Sequence, residues 1–482
     1  MIKQRLVLTR WDGLQVLGIG FIALLIALGI TQLLLVGETR LAVAATVFVS
    51  IIGVSIYDLR VGVIICLLYA IVMGDLRRLL LIVEPWSGSD PLLLIAPGFV
   101  ILIFFYLLAS RRITIDTPIS ISVVILMTIM AAQIFNPRQG GLVVGMAGVL
   151  FLMVPLFWFW IGRAFATLSF FRLLIFRILP FVGTIALLFG LYQVLVGYFP
   201  YQLTWFHTAG YAGIGNLDTG LAPISFFASG SEHGVFVIIT GVLILVLGLT
   251  KDRRFLALLP IVVIGTLLTG SRGPVAKLFL VGAGLWALQG QSVRSWIPRG
   301  MLIFSLTALV LIFSLSYISS RGVSHSVIEH KLGRQAQEFV HAEGGAGGRS
   351  TALGHLMMLF HGYRIALSEP LGRGLGATSL AAKLDSRSSF GKSTETDLGD
   401  SFVALGIIGG LTYHTIVFLV IYYSFLLWIR TRDPRVLAIL GILGVTFLQW
   451  LGGGQYAVSA IVWVCIGALD RIYRSTLQTG HS

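Results

Sequence analysis

Long apolar runs separated by short charged punctuation organise this chain from Leu14 to Leu469. A helix needs about 20 such residues to cross the ~30 Å hydrocarbon layer of a bilayer. The pattern predicts spans near 14–36, 41–57, 60–74, 91–109, 118–135, 142–161, 173–198, 233–249, 255–270, 274–290, 300–317, 401–429, 435–451 and 455–470. The second and third are short for a full crossing, and Asp58 and Arg60 between them mark a tight turn or a kinked pair. The expected fold is therefore an all-α polytopic membrane protein with about 12–14 transmembrane helices. A β-barrel would alternate apolar and polar positions in segments of about ten residues, and no such alternation is present.

Two predicted outer segments are too long to be mere connectors. One, near 200–232, is rich in aromatics and glycines. The other lies between the spans near 300–317 and 401–429, covers 318–400, and holds nine Lys/Arg, eight Asp/Glu and five of the nine histidines. Long ordered loops are usually functional. The chain thus divides into a helix bundle over 1–317, a large outer loop over 318–400 that includes an amphipathic helix, and C-terminal spans over 401–482.

Composition agrees: 57% of the 482 residues are hydrophobic and only 11% charged, against about 25% charged in soluble proteins. The net charge of +14 raises a nucleic-acid reading. Its distribution argues against one, because no basic stripe carries interleaved aromatics. With the N-terminus inside, eighteen Lys/Arg fall on the cytoplasmic side, while Arg40, Arg77, Arg78, Arg138 and Arg272 make five in the short outer loops. That bias predicts cytoplasmic termini and an outward-facing large loop. The run 14–36 is too long for a cleaved signal and is expected to remain as the first helix. Cys66 and Cys465 lie in apolar runs, as buried small hydrophobes rather than a disulfide pair or metal site.

The candidate chemistry is concentrated outside. Leu353, Leu356, Met357, Phe360, Ile365 and Leu367 recur at helical spacing over Thr351–Ser368, with Ser350 placed to cap the start. Pro370, Gly372, Gly374 and Gly376 end that helix in a turn whose backbone can approach a ligand closely. Arg349 at the helix start, with His355 and Arg364 nearby, is suited to an anion such as a diphosphate. The plainer reading is a solvated face on an interfacial helix. Arg272, in TGSRGPV, is an ionisable group at the end of a span and so a functional candidate, although a snorkelling arginine would look the same. Glu395, Asp397 and Asp400 precede the span at 401 as candidate bases, or simply as charges on a helix N-terminus. Glu232 and His233 hold a similar but weaker position. No metal-ligand spacing is present, so neither a metal nor another cofactor is expected.

Three features in order resemble the bacterial O-antigen ligase and O-antigen polymerase superfamily. They are TGSRGP (Thr269–Pro274), a large outer loop with an arginine, an amphipathic helix and PLGRGLG (Pro370–Gly376), and an acidic segment running into ALGIIGGL (Ala404–Leu411). The resemblance covers about 230–430. It implies a multi-pass protein of the bacterial inner membrane, with a periplasmic loop that performs metal-independent, inverting glycosyl transfer. The partners it implies are an undecaprenyl-diphosphate-linked glycan donor, a glycan acceptor, membrane lipids and a chain-length regulator. Arg272, with Arg349 or Arg364, maps onto the arginines that hold the diphosphate, and Arg373 and His361 join them as substrate-binding candidates. Ligases carry a histidine just before the late span. Here the stretch reads TETDLGDSF, which favours the polymerase branch, with Glu395, Asp397 or Asp400 as base and His355 or His361 as alternatives. A ligase and a polytopic transporter are the competing expectations. The transporter is disfavoured because charges at mid-depth are few, Arg177 and Lys277 being exceptions.

Overall fold

In the computed structural model, residues 13–85, 90–209, 223–269, 272–290, 351–384, 394, 396–451 and 456–479 are described, with isolated positions 298, 301 and 305. Side chains are described only outside 13–23, 272, 351–358, 383 and 477–479. The predicted span near 300–317 and the outer stretch 318–350 thus lie essentially outside the described residues.

Among the described residues the chain is helical, without strands. The helices are α1 (Gly13–Leu35), α2 (Thr39–Tyr57), α3 (Leu59–Leu79), α4 (Ile95–Ala109), α5 (Pro118–Gln133), α6 (Leu142–Gly148), α7 (Val154–Phe165), α8 (Leu168–Leu173), α9 (Leu179–Leu195) and α10 (Pro200–Ala209). They continue as α11 (Gly230–Thr250), α12 (Leu259–Leu268), α13 (Arg272–Leu288), α14 (Thr351–Ser368), α15 (Asp397–Thr431), α16 (Pro434–Val445) and α17 (Tyr456–Thr479). Eight helical stretches are long and apolar enough to cross a membrane, and four shorter apolar helices accompany them. The molecule is an all-α, multi-pass membrane protein.

The sequence explains most of the joints. π turns over Val149–Met153 and Leu174–Ile178 join α6 to α7 and α8 to α9. Each directly precedes a helix with proline in its first turn, Pro155 and Pro180. A proline inside a helix lacks an N–H and clashes with the carbonyl four residues back, and local widening relieves both problems. Where helices cross tightly, glycine permits it. Gly162 of α7 lies against the Val464 backbone and Gly467 of α17 against that of Phe159, a small-residue contact that substitutes for the hydrophobic driving force missing in lipid. Cys66 and Cys465 are fully buried in this packing.

The second and third helices are both long and apolar enough to cross. They run over Thr39–Tyr57 and Leu59–Ile82, so the predicted end at residue 74 is too early. Charges beyond it do not stop the helix because they find partners. Arg78 donates to the carbonyls of Ser225, Phe227 and Ala228 and stacks on Trp205. Arg77 and Arg40 share Asp90, each at 2.9 Å.

Helix ends that strict alternation assigns to one side do meet there. At one end 75–78 touches 225–228, Gln133 touches Leu371 and Leu375, and Asp397 touches Leu448. At the other, Thr114 and Thr117 meet Arg163, Asp470 and Arg474, and Leu288 meets Trp428 and Arg432. We call the first the loop end.

Candidate functional site

α15 is not one straight rod. Gly406 interrupts it with φ 71° and ψ −168°, a conformation that costs little only without a side chain. On a straight helix Phe402 and His414 would be about 18 Å apart, yet their ring centroids are 5.0 Å apart. The chain therefore folds back: 397–405 is a short re-entrant arm laid against the start of the spanning arm 407–431. The predicted span starting at 401 is corrected accordingly, since its first residues belong to the re-entrant arm. Gly410 leaves room for Phe402 and Gly409 for Leu405 at the arms' contact.

The PLGRGLG turn caps this hairpin. The N–H groups of Arg373 and Gly374 donate to the carbonyls of Val403 and Ala404 at 2.9 and 3.0 Å, and Ile407 N–H donates to Pro370 at 2.9 Å. These bonds serve the orphan groups that every helix end leaves. A Cβ on Gly372 would strike the backbone of 404–406, one on Gly374 would strike Gln139, and one on Gly376 would strike Val144. The space left by these glycines is filled by neighbouring backbone and side chains.

The hairpin carries Asp397 inward. Its carboxylate is close enough to the Tyr413 hydroxyl to interact with it, and so lies level with a residue about 10 Å along the spanning arm from Gly406. Asp397 Oδ2 accepts the Leu451 N–H at 2.6 Å, and its own N–H donates to Leu448 at 2.9 Å. Lys277 of α13 is close enough to interact electrostatically with Asp397, and its Nζ lies 3.3 Å from Gln449 Oε1. Asp400, half-buried, accepts both the N–H and the hydroxyl of Thr394 through Oδ1. Beside the hairpin, Tyr363 of α14 lies 3.2 Å from His414 Nε2, so the predicted amphipathic helix packs on the bundle.

The start of α11 adjoins this group. Glu232, 1% exposed, accepts the N–H groups of Ala457 and Ala228 at 3.0 and 3.3 Å. His233 is equally buried. Gly234 packs on Pro274 and Thr269, so the TGSRGP joint rests on the first turns of α11. Arg272 is the first residue of α13, five positions before Lys277.

The remaining candidates scatter. His361 and Arg364 are exposed on α14. Arg373 turns to Glu369 through Nε at 3.1 Å and Nη2 at 2.8 Å, and Arg138 reaches the same carboxylate at 3.2 Å. Hydrogen bonds from Arg373 hold the Glu369 carboxyl below its ordinary pKa. Arg349 and Glu395 lie outside the described residues, as do the side chains of Arg272 and His355. Sequence reading missed the Lys277–Asp397–Tyr413 group. The available signal was an ionisable residue, Lys277, inside an apolar run.

No family model matches this chain, and no curated protein matches it.

Proposed function

We propose that the chain is a glycosyltransferase of the inner membrane that polymerises undecaprenyl-diphosphate-linked repeat units into a surface polysaccharide on the periplasmic face. One observation carries the reading: the PLGRGLG turn and α14 both pack on the hairpin that bears Asp397 and Asp400, with Thr269 and Pro274 of TGSRGP against α11 at the same end of the bundle. In this reading both termini are cytoplasmic and the loop end is periplasmic, as the charge bias favours. An acceptor hydroxyl attacks the anomeric carbon of the donor sugar. A new glycosidic C–O bond forms, the bond to the diphosphate oxygen breaks with inversion, and the lipid diphosphate leaves.

Arg272 is the proposed counter-charge to that leaving group, and a guanidinium needs no metal to neutralise it. Asp400, at the half-buried edge of the hairpin, is the proposed acceptor of the hydroxyl proton. Asp397, which accepts the Leu451 N–H, is assigned a positioning role.

A transporter reading draws on a specific observation too. A broken helix that brings Asp397 to Lys277 inside the bundle is an arrangement used for translocation. Purified protein separates the two when incubated with lipid-linked repeat units. Chain growth, lost in Arg272→Ala and Asp400→Asn at equal yield, supports the polymerase. No growth from wild type, with lipid-linked units moved across proteoliposomes, supports the transporter. A deletion strain that builds full polymer on the lipid carrier would instead indicate a ligase.

A further inference from the structure

The span built from α8, its π turn and α9 shows a stripe of exposed apolar side chains: Leu173, Phe181, Ile185, Leu188 and Leu195. Arg177 is exposed in the same stripe, four residues from both Leu173 and Phe181. It lies about 13 Å along the helix axis from Leu168. A 28-residue span is longer than the ~30 Å hydrocarbon layer, so this depth falls near the headgroup boundary. Snorkelling alone would explain one such arginine. It does not explain the company Arg177 keeps.

Arg172 is exposed one turn earlier, and Lys251, just past α11, stands over Phe176 with Nζ 4.6 Å from the ring centroid. Burial, and then the like charges of Arg172 and Arg177, push the Lys251 ammonium below its ordinary pKa. The carboxylates at this end have other partners, although Asp433 is also within electrostatic reach of Arg172. Asp433 is held by Arg435, Asp116 by Arg163 and Arg474, and Asp470 by Arg163, while Asp252 accepts the Arg254 N–H. Three crowded cations from two separate segments, with Arg172 shared by Asp433, therefore face the edge of a lipid-facing apolar stripe. Repulsion among them is relieved by an anion that brings its own hydrocarbon.

We propose that Arg172, Arg177 and Lys251 bind the phosphate headgroup of an anionic phospholipid, with its acyl chains along the Leu173–Phe181–Ile185 stripe. Basic pockets between spanning helices suit such headgroups, above all those carrying two phosphates. The site lies at the end of the bundle opposite the loop end and does not depend on the glycosyltransferase reading.

Delipidated full-length protein in detergent tests this by native mass spectrometry during titration with diphosphatidylglycerol, phosphatidylethanolamine or inorganic phosphate. Saturable binding of diphosphatidylglycerol is expected, at least tenfold tighter than phosphatidylethanolamine. R177Q and K251Q should each weaken it several-fold, while R111Q, at another loop of the same end, leaves it unchanged. The two test positions lie on different segments, so each reads the site independently. Equal affinity in R177Q and K251Q, an equal loss in R111Q, or equal binding of the zwitterionic lipid overturns the proposal. Displacement of the lipid by millimolar phosphate also overturns it, in favour of a site for soluble anions.

Discussion

Two regions of the bundle bury charge by different means. At the end away from the loops, carboxylates are matched by guanidinium groups. Arg163 takes Asp116 and, at 3.1 Å, Asp470; Arg474 takes Asp116 at 2.9 Å; Thr117 donates to Asp470 at 2.6 Å. The network ties α5, α7 and α17 into one block. At the loop end Asp90 is matched likewise by Arg40 and Arg77, but in the hairpin and α11 the donors to Asp397, Asp400 and Glu232 include backbone N–H groups and a hydroxyl. Matched ion pairs fix a structure. A backbone N–H ties a carboxylate to one main-chain position, so these bonds join the hairpin and α11 to residues 451 and 457.

The contrast can be broken from either side. The largest effect is expected for Arg163→Met, which leaves Asp470, 0% exposed, without its charge partner. Removing one member of a buried pair costs about 3–5 kcal/mol. Denaturant unfolding in micelles should show that loss, with Arg163→Met/Asp470→Leu recovering most of it; a loss under about 1 kcal/mol would contradict the lock.

Gly406→Ala comes next. A side chain at φ +71° that also meets the Pro370 carbonyl should cost about 2–3 kcal/mol and abolish function. Gly37→Ala, also at positive φ but in open space, should cost only about 1–2 kcal/mol. Equal costs at the two positions would mean that the hairpin is not held by the turn.

The smallest effect belongs to Glu369→Gln, below about 1 kcal/mol because the pair is partly exposed. Its sign with pH is fixed. A carboxyl whose folded pKa is depressed stabilises above its unfolded value of about 4.3 and loses that contribution as pH falls through the folded value. Wild type should therefore exceed the variant at pH 7 and converge with it in acid. A gap independent of pH would remove the Arg373 and Arg138 pairing as its cause.

Much of this was legible in the sequence. Hydropathy found the eight long apolar helices among the described residues, and the apolar spacing over Thr351–Ser368 matches the bounds of α14. What it missed is direction. An apolar stretch that enters and returns reads the same as one that continues, so the hairpin at Gly406 was hidden in a run extending to Trp428. Its trace was the spacing of Gly406, Gly409 and Gly410, which lets two arms touch. The end of α3 was misjudged for a related reason. Asp75, Arg77 and Arg78 look like a stop until the carbonyls of 225–228 are known to receive Arg78. The diphosphate-binding role proposed for Arg272 rests on resemblance; the structure adds that Arg272 begins α13.

The burial of Cys66 and Cys465 has a practical consequence. Both thiols are shielded at 0% exposure, so the native chain is a silent background for membrane-impermeant sulfhydryl reagents. A single cysteine introduced at exposed Ser110 or exposed Thr208 then becomes the one reporter in the molecule. Labelling of intact cells at one position and not the other assigns the two faces of the bundle to the two compartments, without first stripping the protein of its own cysteines.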